Sequence, residues 1–208
     1  MGTNAASLFP MFLKLEGRNC LVLGAGSVGE QKIRSLLDCG AGLVVIAPAA
    51  TKAVQQWAQS GMLTWFPREF KPSDLEGSSL VVAATSDVEV NHAIYREANA
   101  RGILCNVVDD PPYCDFYYGA LVRRGQLQIA ISTNGLSPAL AQRIRKQLEA
   151  EFPPVYGPWL DELGRRREQM FRGGGDPEER KALLHELAGA AAFLEFESSE
   201  LAAGKGVS

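Results

Sequence analysis

Cys20-Leu21-Val22-Leu23-Gly24-Ala25-Gly26-Ser27-Val28-Gly29 sets a wholly apolar run directly before a glycine pattern. An apolar run of this kind reads as a strand buried on both faces. A GxGxxG pattern between a strand and a helix has a physical reading. The first glycine makes the turn, the second lets the main chain approach a pyrophosphate, and the third permits close helix packing. The helix start then offers free N–H groups and a partial positive charge to the phosphates. Gly24, Gly26, Ser27, Val28 and Gly29 are therefore candidate cofactor-binding residues. A tight turn without a ligand is the competing reading.

Outward from this loop, short apolar runs alternate with segments of helical periodicity. Strands are predicted over residues 20–23, 43–47, 63–66, 80–84 and 104–108, and helices over 28–39, 51–60 and 88–101. Gly40, Gly61 and Gly102 stand where those helices should stop. The fold class is α/β, a Rossmann-type parallel sheet. One element of the dinucleotide fingerprint is missing. The second strand should end in an acid that binds the ribose 2′-OH, yet Ile46-Ala47-Pro48-Ala49 has none, and no arginine replaces it. Main-chain groups at Pro48 and Ala49 are the candidates for the ribose, which leaves NAD against NADP open. Thr85 and Ser86 follow the fourth strand and read either as nicotinamide-side residues or as the cap of the next helix. Asp109 follows the fifth strand on the same sheet edge, and reads either as the proton-handling group or as a turn former before Pro111 and Pro112. His92 lies inside a predicted helix and His185 in the remote tail, so neither is well placed.

Beyond Asp109 the rhythm changes. Strands over 118–123 and 127–133 flank Arg124-Gly125-Gln126, a hairpin signal. Ser137-Pro138 then caps a helix running to Leu148, completing a ββα unit. Pro153-Pro154 ends it, and amphipathic stretches over 159–171 and 177–196 predict a small helical domain with the last ten residues frayed. The expected organisation is a dinucleotide domain at 1–112, the ββα unit at 113–150 and the helical domain at 151–208. Between Phe116 and Leu148 lie Arg123, Arg124, Arg143, Arg145 and Lys146, and not one Asp or Glu. A solvated helix face mixes both signs, so this stretch points to an anionic ligand, most economically a polycarboxylate. Nucleic acid and pairing with acids elsewhere are the alternatives. The loop Ile131-Ser132-Thr133-Asn134-Gly135-Leu136-Ser137-Pro138 is either a second anion nest or a capped strand-to-helix turn.

With 208 residues, 46% hydrophobic and 22% charged, the composition is that of a globular protein. Roughly 70% of the unfolded surface can be buried at this length, so no metal or disulfide staple is required. Cys20, Cys39, Cys105 and Cys114 are too dispersed for a zinc site or a disulfide framework, and a cytoplasmic setting is expected. No apolar run approaches the ~18 residues of a membrane span, and no basic residue precedes Lys14, so membrane insertion and export are not expected. The net charge of −3 gives no reason to expect nucleic acid.

Taken together, Cys105-Asn106-Val107-Val108-Asp109, the Arg123-Arg124-Gly125 turn, and the run from Ile129 through Ser137-Pro138 into Ala139-Leu140-Ala141 resemble the precorrin-2 dehydrogenase family. That family is the dehydrogenase and ferrochelatase module of siroheme biosynthesis. The resemblance covers residues 12–148 and fades in the helical tail. It implies NAD-dependent oxidation of precorrin-2 to sirohydrochlorin, with Asp109 at the position of the family's essential aspartate. In some members that aspartate also assists insertion of ferrous iron, which enters as substrate and not as a resident metal. It implies that Ser132, Thr133, Asn134, Arg123, Arg124 and Arg143 line the side facing a polycarboxylate tetrapyrrole. It also implies a homodimer built by the hairpin and its helix. Asp110 and Pro112 depart from the family pattern, making the loop after Asp109 acidic and stiff, which bears on metal handling. The chain has no room for an appended methyltransferase domain, so the preceding methylations are expected of another protein. Two non-enzymatic readings stand beside this one. An NAD(H)-sensing regulatory module would explain the glycine loop but not the basic ββα unit, and a purely structural dimer would bind no NAD.

Overall fold

The computed structural model describes residues 7–202, which form two compact units, one running to Tyr118 and the other beginning at Gly119. The first contains strands β1 (Asn19–Ala25), β2 (Gly42–Ala50), β3 (Thr64–Phe66), β4 (Leu80–Ala83) and β5 (Leu104–Val107), with helices α1 (Ser27–Leu37), α2 (Lys52–Gln59) and α3 (Val88–Ala100) between them. All strand pairs are parallel and the order is β3-β2-β1-β4-β5. Strand side chains alternate between faces, and here both faces are covered. Cys20 and Val22 of β1 point into one core with Ile33 and Leu36 of α1 and Val54 of α2. Leu21 and Leu23 point into the other, with Ile94 and Ala98 of α3. This two-sided burial is why the strands are apolar without interruption.

The expected strands and helices of this unit are all present. Two boundaries differ in ways that matter. β2 continues beyond residue 47 to Ala50, carrying Pro48 and Ala49 within the strand; the β1–β2 register shifts between Leu23 and Ala25, and there a proline costs no ladder bond. Short 3-10 turns at Pro72–Leu75 and Pro111–Tyr113 were not expected. The boundary between units falls at Tyr118, later than the sequence places the end of the dinucleotide domain. The segment after β5 turns back on it: Asn106 is buried, and its side-chain amide donates to the Phe116 carbonyl at 2.8 Å, while an isolated bridge joins Asn106 and Cys114.

The second unit begins with the hairpin β6 (Ala120–Arg124) and β7 (Leu127–Ile131), closed by the two-residue turn Gly125-Gln126. Both strands are shorter than expected, since residues 118–119 and 132–133 make no ladder pairs. Helix α4 (Pro138–Glu151) starts as predicted, with the Ser137 hydroxyl accepting the Leu140 N–H at 3.2 Å. Helix α5 (Tyr156–Gly173) follows. The single helix expected over 177–196 is instead two, α6 (Pro177–Leu187) and α7 (Ala190–Ala202), broken at Ala188-Gly189. Phe193 can thereby reach Tyr156, the two rings stacking at 4.4 Å, with Trp159 against both. Of the ten terminal residues expected to fray, 199–202 are helical and the rest lie outside the described residues.

Candidate functional site

From β1 the chain winds outward through β2 and β3, then returns to the other side of β1 as β4. Such a switch point leaves a crevice above the carboxyl ends of the strands. A cleft of about 800 Å3 occupies it, lined by residues 24–29, 46–49, 68–70 and 84–87 together with Val90, Ala93, Val108 and Asp109. Every residue assigned to the cofactor from sequence, and Asp109, therefore lies on one cavity.

The glycine loop has the geometry its chemistry requires. A Cβ at Gly24, where φ is +96°, would stand 2.3 Å from the Ala84 carbonyl oxygen, and one at Gly29 would stand 2.2 Å from the Gly24 oxygen. Neither position accepts a side chain. At Gly26, by contrast, a Cβ would meet nothing within 4 Å, so the space above it is open. Helices α2, α3, α4 and α6 have side-chain caps from Thr51, Asp87, Ser137 and Asp176, whereas α1, flanked by Gly26, has none, and neither has α5 of the second unit, flanked by Val155. The first N–H groups of α1 are left for a ligand. A dinucleotide pyrophosphate fits this cradle.

At the β4 edge, Thr85 is held from below by buried Asn91 of α3. Its hydroxyl lies 2.7 Å from Asn91 Oδ1, and the Asn91 amide donates to the Thr85 carbonyl at 3.1 Å. The cap of α3 is Asp87, which accepts from Glu89 and Val90, so Thr85 and Ser86 are not needed as caps and face the cleft. Asp109 takes a left-handed conformation, φ 61°, unusual for a residue with a Cβ. The following residue fixes that loop: Asp110 Oδ2 lies 2.6 Å from His92 Nε2, and the His92 ring stacks on Tyr113 at 3.7 Å. Lys32 of α1 lies with its Nζ 3.8 Å over the Tyr118 ring. Burial lowers its pKa, opposed first by Asp109 and then by Cys114. The Cys105 thiol is pushed up to about 12 by burial, then by Asp115 and Cys114, and stays protonated.

Lys32, Arg68 and Asn91 escaped the sequence reading. His92 is set aside there for lying inside a predicted helix, and its partner Asp110 stands 18 residues away in sequence. The helical period was the available signal: Asn91 and His92 lie one turn into a helix that starts on the cofactor edge.

In the second unit the tetrapyrrole-side candidates divide. Arg124 braces the end of α4, donating to the carbonyls of Phe152 at 2.7 Å, Glu149 at 3.0 Å and Arg123 at 3.0 Å. Ser132 Oγ accepts the Asn134 N–H and Thr133 Oγ1 accepts the Ser137 N–H, so both hydroxyls shape the turn in which Asn134 is left-handed at φ 52°. Arg123 and Arg143 are exposed. Arg145 pairs with Glu149 one turn on. No group of three or more metal-ligating side chains occurs among the described residues.

A Rossmann-type sheet with this loop at its switch point defines a dinucleotide-binding protein. Family models agree: residues 11–120 match one described as putative NAD(P)-binding, and residues 124–151 match sirohaem biosynthesis protein central. Siroheme synthase of Photorhabdus laumondii is 42% identical over 161 residues, 77% of this chain and 34% of that protein. Siroheme synthase 1 of Aeromonas salmonicida is 43% identical over 148 residues, 71% and 32% of the two chains. The chain thus spans about a third of the length of these relatives. The solved structure of SirC, precorrin-2 dehydrogenase, aligns with a TM-score of 0.77 and 26% identity over 92% of this chain and 98% of that one. The chain belongs to the NAD(P)-binding family shared by siroheme synthases and precorrin-2 dehydrogenase.

Proposed function

We propose that this chain carries out the NAD-dependent dehydrogenation of precorrin-2 to sirohydrochlorin, a step of siroheme biosynthesis. The observation that carries the reading is that Asp109 lines the same cleft as the glycine loop, on the sheet edge where the cofactor's reactive half would lie. NAD, when bound, supplies the hydride acceptor.

The residues around it divide the remaining work. Gly24, Gly26, Ser27, Val28 and Gly29 hold the pyrophosphate, the main chain at Pro48 and Ala49 meets the adenosine ribose, and Thr85 and Ser86 orient the nicotinamide end. As the substrate loses a hydride, the Asp109 carboxylate takes the accompanying proton as general base. Lys32 of α1 is attracted to that carboxylate. Ser132, Thr133, Asn134, Arg123 and Arg143 face the carboxylates of the tetrapyrrole, with Arg124 setting the hairpin against α4 behind them.

The same carboxylate can take pyrrole N–H protons as ferrous iron enters sirohydrochlorin, so chelation belongs to this reading, with iron as substrate. A homodimer is supported by the two-stranded sheet, whose edges pair with no further strand among the described residues, and by exposed Leu121, Leu136 and Leu140. No helix among the described residues is long and apolar enough to cross a membrane. The free thiols of all four cysteines fit a cytoplasmic location.

Anaerobic incubation with precorrin-2 and NAD tests the reading. Reduced nicotinamide and the sirohydrochlorin spectrum should appear together. Binding of NAD with no turnover would instead make the chain an NAD(H)-sensing module. Adding ferrous ion to sirohydrochlorin with and without the protein tests chelation separately.

A further inference from the structure

The ribose of a bound dinucleotide should meet the end of β2, yet no side chain there can read it. Ile46 pairs with Phe66, and two residues further on each chain come Pro48 and Arg68, both on the cleft. Arg68 is the one Lys or Arg lining that cleft among the described residues.

Its guanidinium is held from behind. Nη1 and Nη2 donate end-on to the two Asp74 carboxylate oxygens at 2.8 and 2.7 Å, and Nη1 also donates to the Glu69 carbonyl at 3.0 Å. Asp74 is itself anchored by the Lys71 N–H at 2.8 Å and does not line the cleft. Of the five N–H groups of an arginine, these bonds use three. The Nε–H and the second Nη2–H remain, and they form one edge of the fork, the edge that grips a phosphate or a pair of hydroxyls. The Arg68 side chain is 37% exposed, so the edge is accessible, and the Asp74 pair fixes its plane before any ligand arrives.

We propose that Arg68 is the residue that receives a 2′-phosphate on the adenosine ribose, and that with no acid on β2 to repel that group the site accepts NADP as well as NAD. The role carried by the end of the second strand in the usual fingerprint has passed to the segment after the third. This rests on the dinucleotide reading of the cleft but not on the identity of the oxidised substrate.

Calorimetric titration of the full chain with NAD and with NADP tests it. NADP should bind no more than about tenfold more weakly than NAD. Arg68→Ala should weaken NADP by about tenfold or more while changing NAD by no more than about threefold, as expected when a charge-assisted bond to one group is lost. Arg68→Lys, which keeps the charge but loses the fork, should fall between. Because the single variant leaves Asp74 unpaired, Arg68→Ala with Asp74→Asn is titrated alongside, and the same selective loss is expected from both. Failure of NADP to bind where NAD saturates, an equal effect of Arg68→Ala on both cofactors, or a large loss of NAD affinity in Glu69→Gln would overturn the assignment. If neither dinucleotide binds the unmodified chain, it is the cofactor reading of the cleft that fails.

Discussion

The two units bury apolar surface in very different ways. In the first, both faces of a five-stranded sheet are sealed, and Leu21, Leu23, Ile33, Val81, Val82 and Ile94 are among its fully buried side chains. In the second, the buried hydrophobic residues among those described are Val122, Ala141 and Val155, while Leu121, Leu136 and Leu140 are exposed. A two-stranded hairpin covered on one side is marginal in isolation. The contrast teaches that the first unit can preorganise a cofactor cleft from its own chain, whereas the second has apolar surface to spare for association.

The largest expected effect lies at the edge of the sealed unit. Asp109→Ala should fold and keep NAD affinity but lose about 100- to 10,000-fold in kcat for precorrin-2 oxidation, the usual contribution of a general acid or base. Unchanged turnover would remove the proposed base. Stability should follow burial: Ile33→Ala is expected to cost about 2–5 kcal/mol, and Leu140→Ala well under that, in chemical denaturation. Equal losses would erase the contrast between units. If the exposed leucines are a subunit interface, Leu121→Glu should shift sedimentation toward the monomer, while NAD affinity stays within about twofold because the cleft belongs to the other unit.

The smallest effect concerns pH. The Arg68 guanidinium beside Asp74 holds its carboxyl below the usual carboxylate range, despite partial burial. A depressed folded-state pKa means that the unfolded chain binds the proton more readily, so the pair's contribution is complete above an unfolded aspartate pKa of about 4 and is lost as pH falls through the folded value. Urea titrations at neutral and acidic pH should show this loss in the unmodified chain and its absence in Asp74→Asn. The size should be modest, because the pair is partly exposed and screened.

Much of the cleft could be read before the fold was known because its residues follow a local rule: each stands just after an apolar run. Gly24, Thr85 and Asp109 are read that way, whereas the start of α4 is read from its capping serine and first-turn proline, Ser137-Pro138. Arg124 shows where the rule ends. Its sequence surroundings resemble those of a ligand-binding cation, but its reach to Phe152 and Glu149 exists only once α4 has folded back on the hairpin. The break at Ala188-Gly189 is similar, since helical periodicity alone does not show the ring contacts that Phe193 makes after the turn.

Periodicity, glycine spacing and strand-end position depend on neighbours along the chain, and these were enough for the parallel sheet, the phosphate loop and the edge that bears Asp109. What stands opposite what required folding. The order β3-β2-β1-β4-β5 brings Arg68 to the cleft that Pro48 also lines, and the packing of α3 beside β5 brings His92 to Asp110. Such pairings depend on strand order and helix docking, which are set by the burial of two whole sheet faces at once and not by any short stretch of residues.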